Sequence, residues 1–184
     1  MDGLDYVSPA GESLEQIAER FAAGGFRGAL VGPHGRGKST LMRALSALPL
    51  PGDGHDPDRR WIQAQADGSH RAGLHALLRR RGGVLMVDGY DLLGWRDRLA
   101  VRRQPRVLVT SHRPTRLPTL LRCETSPALL ARLVGRLSAE SLEQLGDAGV
   151  DRLFSDHGGN VRDALRALYD RVADGELVTD LSST

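Results

Sequence analysis

Gly32-Pro33-His34-Gly35-Arg36-Gly37-Lys38-Ser39, followed by Thr40, is the stretch from which the rest of the chain can be read. Its spacing, G-x-x-x-x-G-K-[ST], puts glycines where a backbone must turn tightly and approach an anion with no Cβ in the way. In such a loop the successive N–H groups face phosphate oxygens, and the helix that follows adds the positive end of its dipole. A lysine at position 38 would reach β- and γ-phosphate oxygens, and a hydroxyl at position 39 would hold Mg2+. The context agrees with this reading. Residues 26–31 (FRGALV) form a short apolar run suited to a strand, and residues 40–48 (TLMRALSAL) carry the periodicity of a one-faced helix. Lys38 is the single lysine of the chain, every other basic side chain being arginine. The expectation is a bound nucleoside triphosphate, cradled by residues 32–40. The bland alternative is a glycine turn without a ligand.

Outward from the loop, apolar strands alternate with helices, the pattern of an α/β parallel sheet with flanking helices. Before the loop, Ser13 caps a helix whose Leu14, Ile17, Ala18 and Phe21 share one face. After it, residues 49–60 are rich in Pro, Gly and Asp and read as a mobile loop. Residues 61–65 read as a strand and residues 69–81 as a helix ending in three arginines. Residues 84–87 and 106–109 read as strands buried on both faces, joined by an arginine-rich helical stretch over 92–103. A last short strand is expected over 120–124. From Ser126-Pro127 onward the strand signals stop, and four helical segments follow at 128–137, 139–145, 151–154 and 161–172. The expected division is an α/β core over 1–125 and a small all-helical lid with a fraying tail over 126–184.

The net charge of +2 over 184 residues gives no whole-molecule field that would favour nucleic acid or an anionic membrane. One cysteine, Cys123, excludes an internal disulfide and suits a reducing compartment. No apolar run approaches the roughly 18 residues of a membrane helix, and the first ten residues lack the pattern of a secretion signal. A soluble cytoplasmic protein is expected.

In an open parallel sheet, ligands bind beyond the carboxyl ends of the strands, so the residues just after each strand are the candidates for chemistry. Asp88 follows the apolar run 84–87 and suits a carboxylate acting on Mg2+, alongside Ser39. Asp91 is the nearest further carboxylate, a candidate for handling the attacking water or, alternatively, a helix cap. Thr110 and Ser111 end the next strand, within reach of a γ-phosphate, and Arg113 lies just beyond. In the helical region, Arg162 opens a helix after Gly158-Gly159-Asn160, against the dipole preference, which fits an arginine meant for phosphate. The histidines lack metal-ligand spacing: His70 and His75 are five apart, and His34 and His112 sit in loops.

Together these motifs resemble the AAA+ ATPases and their P-loop relatives over roughly residues 12 to 173. GPHGRGKST resembles Walker A, VLMVD Walker B, VLVTS sensor 1 and GGNVRDAL sensor 2. The resemblance implies ATP and Mg2+ bound between core and lid, with Lys38, Asp88, Asp91, Ser111 and Arg113 in catalytic positions and Arg162 on the nucleotide. It also implies nucleotide-dependent assembly with further copies or a protein partner. An arginine finger would come from Arg113, Arg116 or Arg122. The chain departs from the family where Gly89 replaces the glutamate expected after Asp88, which implies slow turnover. DGYD and VTSHRP also resemble segments of STAND-type switches. An ABC-transporter ATPase is excluded for lack of an LSGGQ-like signature. The alternatives are a small-molecule kinase on the same loop and an ATP-holding scaffold for a protein or nucleic acid. For nucleic acid, Arg96, Arg98, Arg102, Arg103 and Arg106 supply charge, but few aromatic residues are available for stacking.

Overall fold

A computed structural model describes residues 11–49 and 58–174. The expected mobile loop over 49–60 and the fraying tail therefore fall largely outside the described residues. Five strands alternate with helices: α1 Leu14–Ala23, β1 Arg27–Val31, α2 Lys38–Ala47, β2 Arg59–Gln63, α3 Arg71–Arg79 and β3 Val84–Asp88. A 3-10 turn, Tyr90–Leu92, and α4, Trp95–Arg102, lead to β4, Val107–Ser111, and β5, Thr119–Arg122. Three helices follow: α5 Pro127–Leu137, α6 Ala139–Asp156 and α7 Val161–Ala173. The described residues divide into two compact units, one of 11–33, 37–49 and 58–123, the other of 34–36 and 124–174.

In the first unit every strand pairing is parallel, in the order β2-β3-β4-β1-β5. A parallel sheet needs helices on both faces, and the alternation along each strand supplies two apolar surfaces. Leu30, Val84, Met86 and Leu108 point to one side, packing with Ile17 and Phe21 of α1 and Leu41, Met42 and Leu45 of α2. Ala29, Val31, Leu85, Val87, Val107 and Val109 point to the other, against Leu74 of α3 and Val101 of α4. The result is a three-layer α/β/α sandwich.

β2 begins two residues earlier than the sequence suggests, on two arginines rather than on Trp61. Those arginines are absorbed by helix ends. The Arg60 guanidinium, almost fully buried, donates from Nη1 to the carbonyls of Leu77 (2.8 Å) and Arg80 (2.7 Å) at the end of α3. Arg59 donates to the Leu48 carbonyl beyond α2. Arg27, at the head of β1, donates to the carbonyls of Gln104 and Arg102 (2.8 Å) at the end of α4. Three arginines at the heads of strands thus meet carbonyls at or just beyond the last turns of three helices. Burial pulls the Arg60 guanidinium below its ordinary pKa, with the Asp58 carboxylate opposing that effect.

The second unit is helical. Ser126 caps α5 by accepting from the Leu129 N–H, and Ser138 accepts from the Ser141 N–H at the start of α6. The two helical segments expected over 139–154 are one element interrupted at Gly146 (φ 57°, ψ 178°). Asn160 accepts from the Asp163 N–H to begin α7. Thr125 hydroxyl donates to the Gly159 carbonyl (2.7 Å), and Arg36 donates to Thr125 Oγ1 and to the Gly158 carbonyl (3.0 Å).

Arg60→Ala should remove both carbonyl contacts at the end of α3 together with the packing of a buried stem. A hydrogen bond to a charged group contributes about 1.5–3 kcal/mol, so removing both should cost about 3 kcal/mol or more. Urea unfolding of the two proteins measures it; an unchanged midpoint would show that the cap is dispensable.

Candidate functional site

The carboxyl edge of the sheet collects Lys38, Ser39, Asp88, Asp91, Thr110 and Ser111. β4 lies between β1 and β3, so its terminal Thr110 and Ser111 stand between the glycine loop and Asp88. The loop leaves β1 at Gly32, whose N–H donates to the Ser111 carbonyl (3.1 Å). A Cβ at this glycine would stand 2.3 Å from the Cys123 carbonyl oxygen, so packing alone forbids a side chain there. Gly37, with φ 76°, is the residue from which α2 departs. The helix begins at Lys38 rather than at Thr40, which places Lys38 and Ser39 in its first turn, beside N–H groups that have no partner within the helix.

Lys38 is buried, with 7% of its surface exposed, and its ammonium donates to the Pro33 carbonyl (2.5 Å). A buried ammonium is costly unless hydrogen-bonded, and here the loop itself supplies an acceptor. Ser39 hydroxyl donates to Asp88 Oδ1 (2.9 Å), and Thr110 hydroxyl donates to the same oxygen (2.6 Å). Thr110 Oγ1 in turn accepts from the Gly89 N–H (2.8 Å). A buried carboxylate at the end of β3 is thus held by one hydroxyl from the start of α2 and another from the end of β4. Ser39 and Asp88 form a hard-oxygen pair, one hydroxyl and one carboxylate. This suits Mg2+, which takes few protein ligands and keeps water and phosphate oxygens for the rest. Among the described residues no group of three or more His, Cys, Asp or Glu forms a metal cluster.

Asp91 sits in the 3-10 turn, whose first position is Gly89 with no side-chain cap. Its carboxylate does not cap that turn. It accepts from Ser111 hydroxyl (2.7 Å) and from the His112 N–H, with His112 Nδ1 3.1 Å away. Ser111 Oγ also lies 2.5 Å from the Arg113 carbonyl, so its single proton serves one of two acceptors at a time. The sequence reading missed this tie between the turn and β4; the polar run Thr110-Ser111-His112 was its only trace. Gly89 occupies the left-handed region at φ 87°, where a residue with a Cβ costs about 1–2 kcal/mol. The backbone conformation at this position therefore favours glycine over the glutamate that the resemblance would place there.

Arg113, Arg116 and Arg122 are exposed. Thr40 is exposed on α2, as are Pro33 and His34 in the loop. His34, Gly35 and Arg36 group with the helical unit, where Arg36 also lies over the Phe154 ring, 5.9 Å from its centroid. Arg162 is exposed in the first turn of α7. No protein-family model and no curated protein matches the chain. No helix among the described residues is long and apolar enough to cross a membrane.

Cys123 follows β5, its N–H donating to the Val31 carbonyl (2.7 Å). Burial pushes its thiol up to about 11, from an ordinary value of 9.0, while the Lys38 charge pulls the other way. A raised folded-state value means the folded chain holds the proton more tightly. The associated stability is intact below pH 9.0 and is lost as pH rises toward about 11. Wild-type protein should lose on the order of 2 kcal/mol more than Cys123→Ala across this window. Urea midpoints at several alkaline pH values measure the difference; parallel profiles would refute the account.

Proposed function

We propose that the chain binds ATP with Mg2+ at the carboxyl edge of its sheet and hydrolyses it slowly, as an AAA+-like ATPase or an ATP-dependent switch. One observation carries the reading: the Ser39 hydroxyl at the mouth of the glycine loop stands 2.9 Å from the Asp88 carboxylate, beside the chain's single lysine. A strand, a glycine loop and a helix start supply N–H groups for phosphate oxygens. Lys38 exchanges the Pro33 carbonyl for β- and γ-phosphate oxygens. Ser39 and Asp88 would hold Mg2+, which would neutralise charge on those phosphates. Ser111 and Thr110 face the terminal phosphate side and Asp91 orients the attacking water, while Arg162 keeps the nucleotide role that the AAA+ resemblance implies for it. Turnover is slow because Gly89 brings no carboxylate next to Asp88.

At 100 times its dissociation constant, Mg·ATP stabilises a one-site protein by about 2.7 kcal/mol. For a chain of this size that is a rise in melting temperature of roughly 5–10 °C. Lys38→Ala should fold normally and lose most of the shift; an equal shift in the variant would overturn the site.

Asp91→Asn should keep the thermal shift and lose phosphate release. If it hydrolyses ATP at the wild-type rate, Asp91 is only a tie to β4. Run over a range of protein concentrations, the same assay tests assembly. Specific activity that rises with concentration supports a finger from Arg113, Arg116 or Arg122 of a neighbouring copy, and strict proportionality removes it. An exogenous arginine finger raises phosphoryl transfer by about 10³–10⁵, so the effect is large enough to see.

A further inference from the structure

The net charge of +2 conceals a segregated distribution. Residues 59–113 hold twelve arginines against four aspartates, with no lysine and no glutamate. The four aspartates lie toward the carboxyl edge of the sheet: Asp67 after β2, Asp88 at the end of β3, Asp91 in the 3-10 turn and Asp97 in the first turn of α4. Most of the arginines collect at the opposite edge, where the strands begin.

Helix ends account for part of this charge. Arg27, Arg59 and Arg60 are spent on the carbonyls of α4, α2 and α3, and Arg80 pairs with Asp58 at 2.6 Å. Arg79, Arg81 and Arg103 are different. All three are exposed, and their side chains make no hydrogen bond or ion pair among the described residues. They project from the ends of α3 and α4, helices packed on the same face of the sheet, at the entries to the neighbouring strands β3 and β4. Arg106, over the Phe26 ring at 4.7 Å, continues the row toward β1. Cations at helix C-termini offset the dipole, but the inward arginines already meet those carbonyls.

We propose that this amino edge binds the phosphate backbone of double-stranded nucleic acid, without reading its sequence. Guanidinium groups suit phosphate oxygens through paired N–H donors, and a row held on rigid helix ends meets a line of phosphates with little ordering cost. Duplex is favoured over other anions by what the edge lacks. The exposed large apolar residues among the described ones are Leu92, Trp95, Leu137 and Tyr169, and none stands here. Without an exposed aromatic there is no platform for unpaired bases. Without an apolar anchor there is neither a wedge for a membrane nor the core of a protein interface. This surface is at the far end of the strands from the nucleotide site and does not depend on that reading.

The test is fluorescence anisotropy with a labelled DNA duplex of roughly 20 base pairs and mixed sequence, between about 50 and 200 mM salt. The variant Arg79→Gln/Arg81→Gln/Arg103→Gln should weaken binding tenfold or more. It should also lower the slope of log affinity against log salt by about 2–3, as three lost phosphate contacts require. The matching lysine variant should retain most of the affinity, and Arg152→Gln/Arg166→Gln/Arg171→Gln on the helical unit should bind like wild type. Near-UV circular dichroism and an unchanged urea midpoint verify that the edge variant is folded. Unaltered binding in the edge variant overturns the proposal, as does an equal loss in the helical-unit variant. Displacement of the duplex by an equal charge concentration of poly-glutamate would assign the edge to acidic proteins instead. Binding to phosphatidylserine vesicles but not to duplex would assign it to membranes.

Discussion

The carboxylate of Asp88, shared between two hydroxyls, is the interaction on which the candidate site depends. One oxygen accepts from Ser39 at the start of α2 and from Thr110 at the end of β4. Three elements far apart in sequence are brought into register by one buried charge. A buried carboxylate is expensive without such partners. Its hydrogen bonds therefore constrain the backbone around it as much as they stabilise it. Asp88 itself ends a fully buried strand, so the carboxylate has little freedom to seek other partners.

A second layer of constraint surrounds that knot. Asp91 ties the 3-10 turn to the end of β4, and the left-handed Gly89 makes that turn possible. Gly32 is held to a hydrogen side chain by the Cys123 carbonyl, quite apart from any ligand. These contacts fix the loop's exit from β1 and the spacing of the hydroxyls around Asp88 within the protein itself. Preorganisation of this kind lowers the ordering cost of binding.

The layering of the fold was legible because β3 and β4 are unbroken apolar runs and α1 and α2 carry one-faced periodicity. Strand order was not, since β1 pairs with β4 and β5 rather than with β2, and the apolar pattern of a strand does not name its neighbour. β2 was misplaced by two residues because Arg59 and Arg60 look like loop residues until the helix carbonyls that absorb them are known. Lys38, Ser39 and Asp88 were legible from spacing. The Asp91–Ser111–His112 tie was not, because polar contacts between loops depend on turns that no periodicity announces. The arginine edge was hidden by averaging: a chain-wide net charge cannot show which end of a sheet the charges occupy.

The single buried lysine has a further consequence. Apart from its amino terminus, the chain carries one primary amine, on a buried lysine whose ammonium donates to the Pro33 carbonyl. An acylating reagent can reach it only when the loop lets go of the ammonium. The rate of chemical labelling at that nitrogen is therefore a clock for the opening of one turn, read out without a probe being engineered into the molecule.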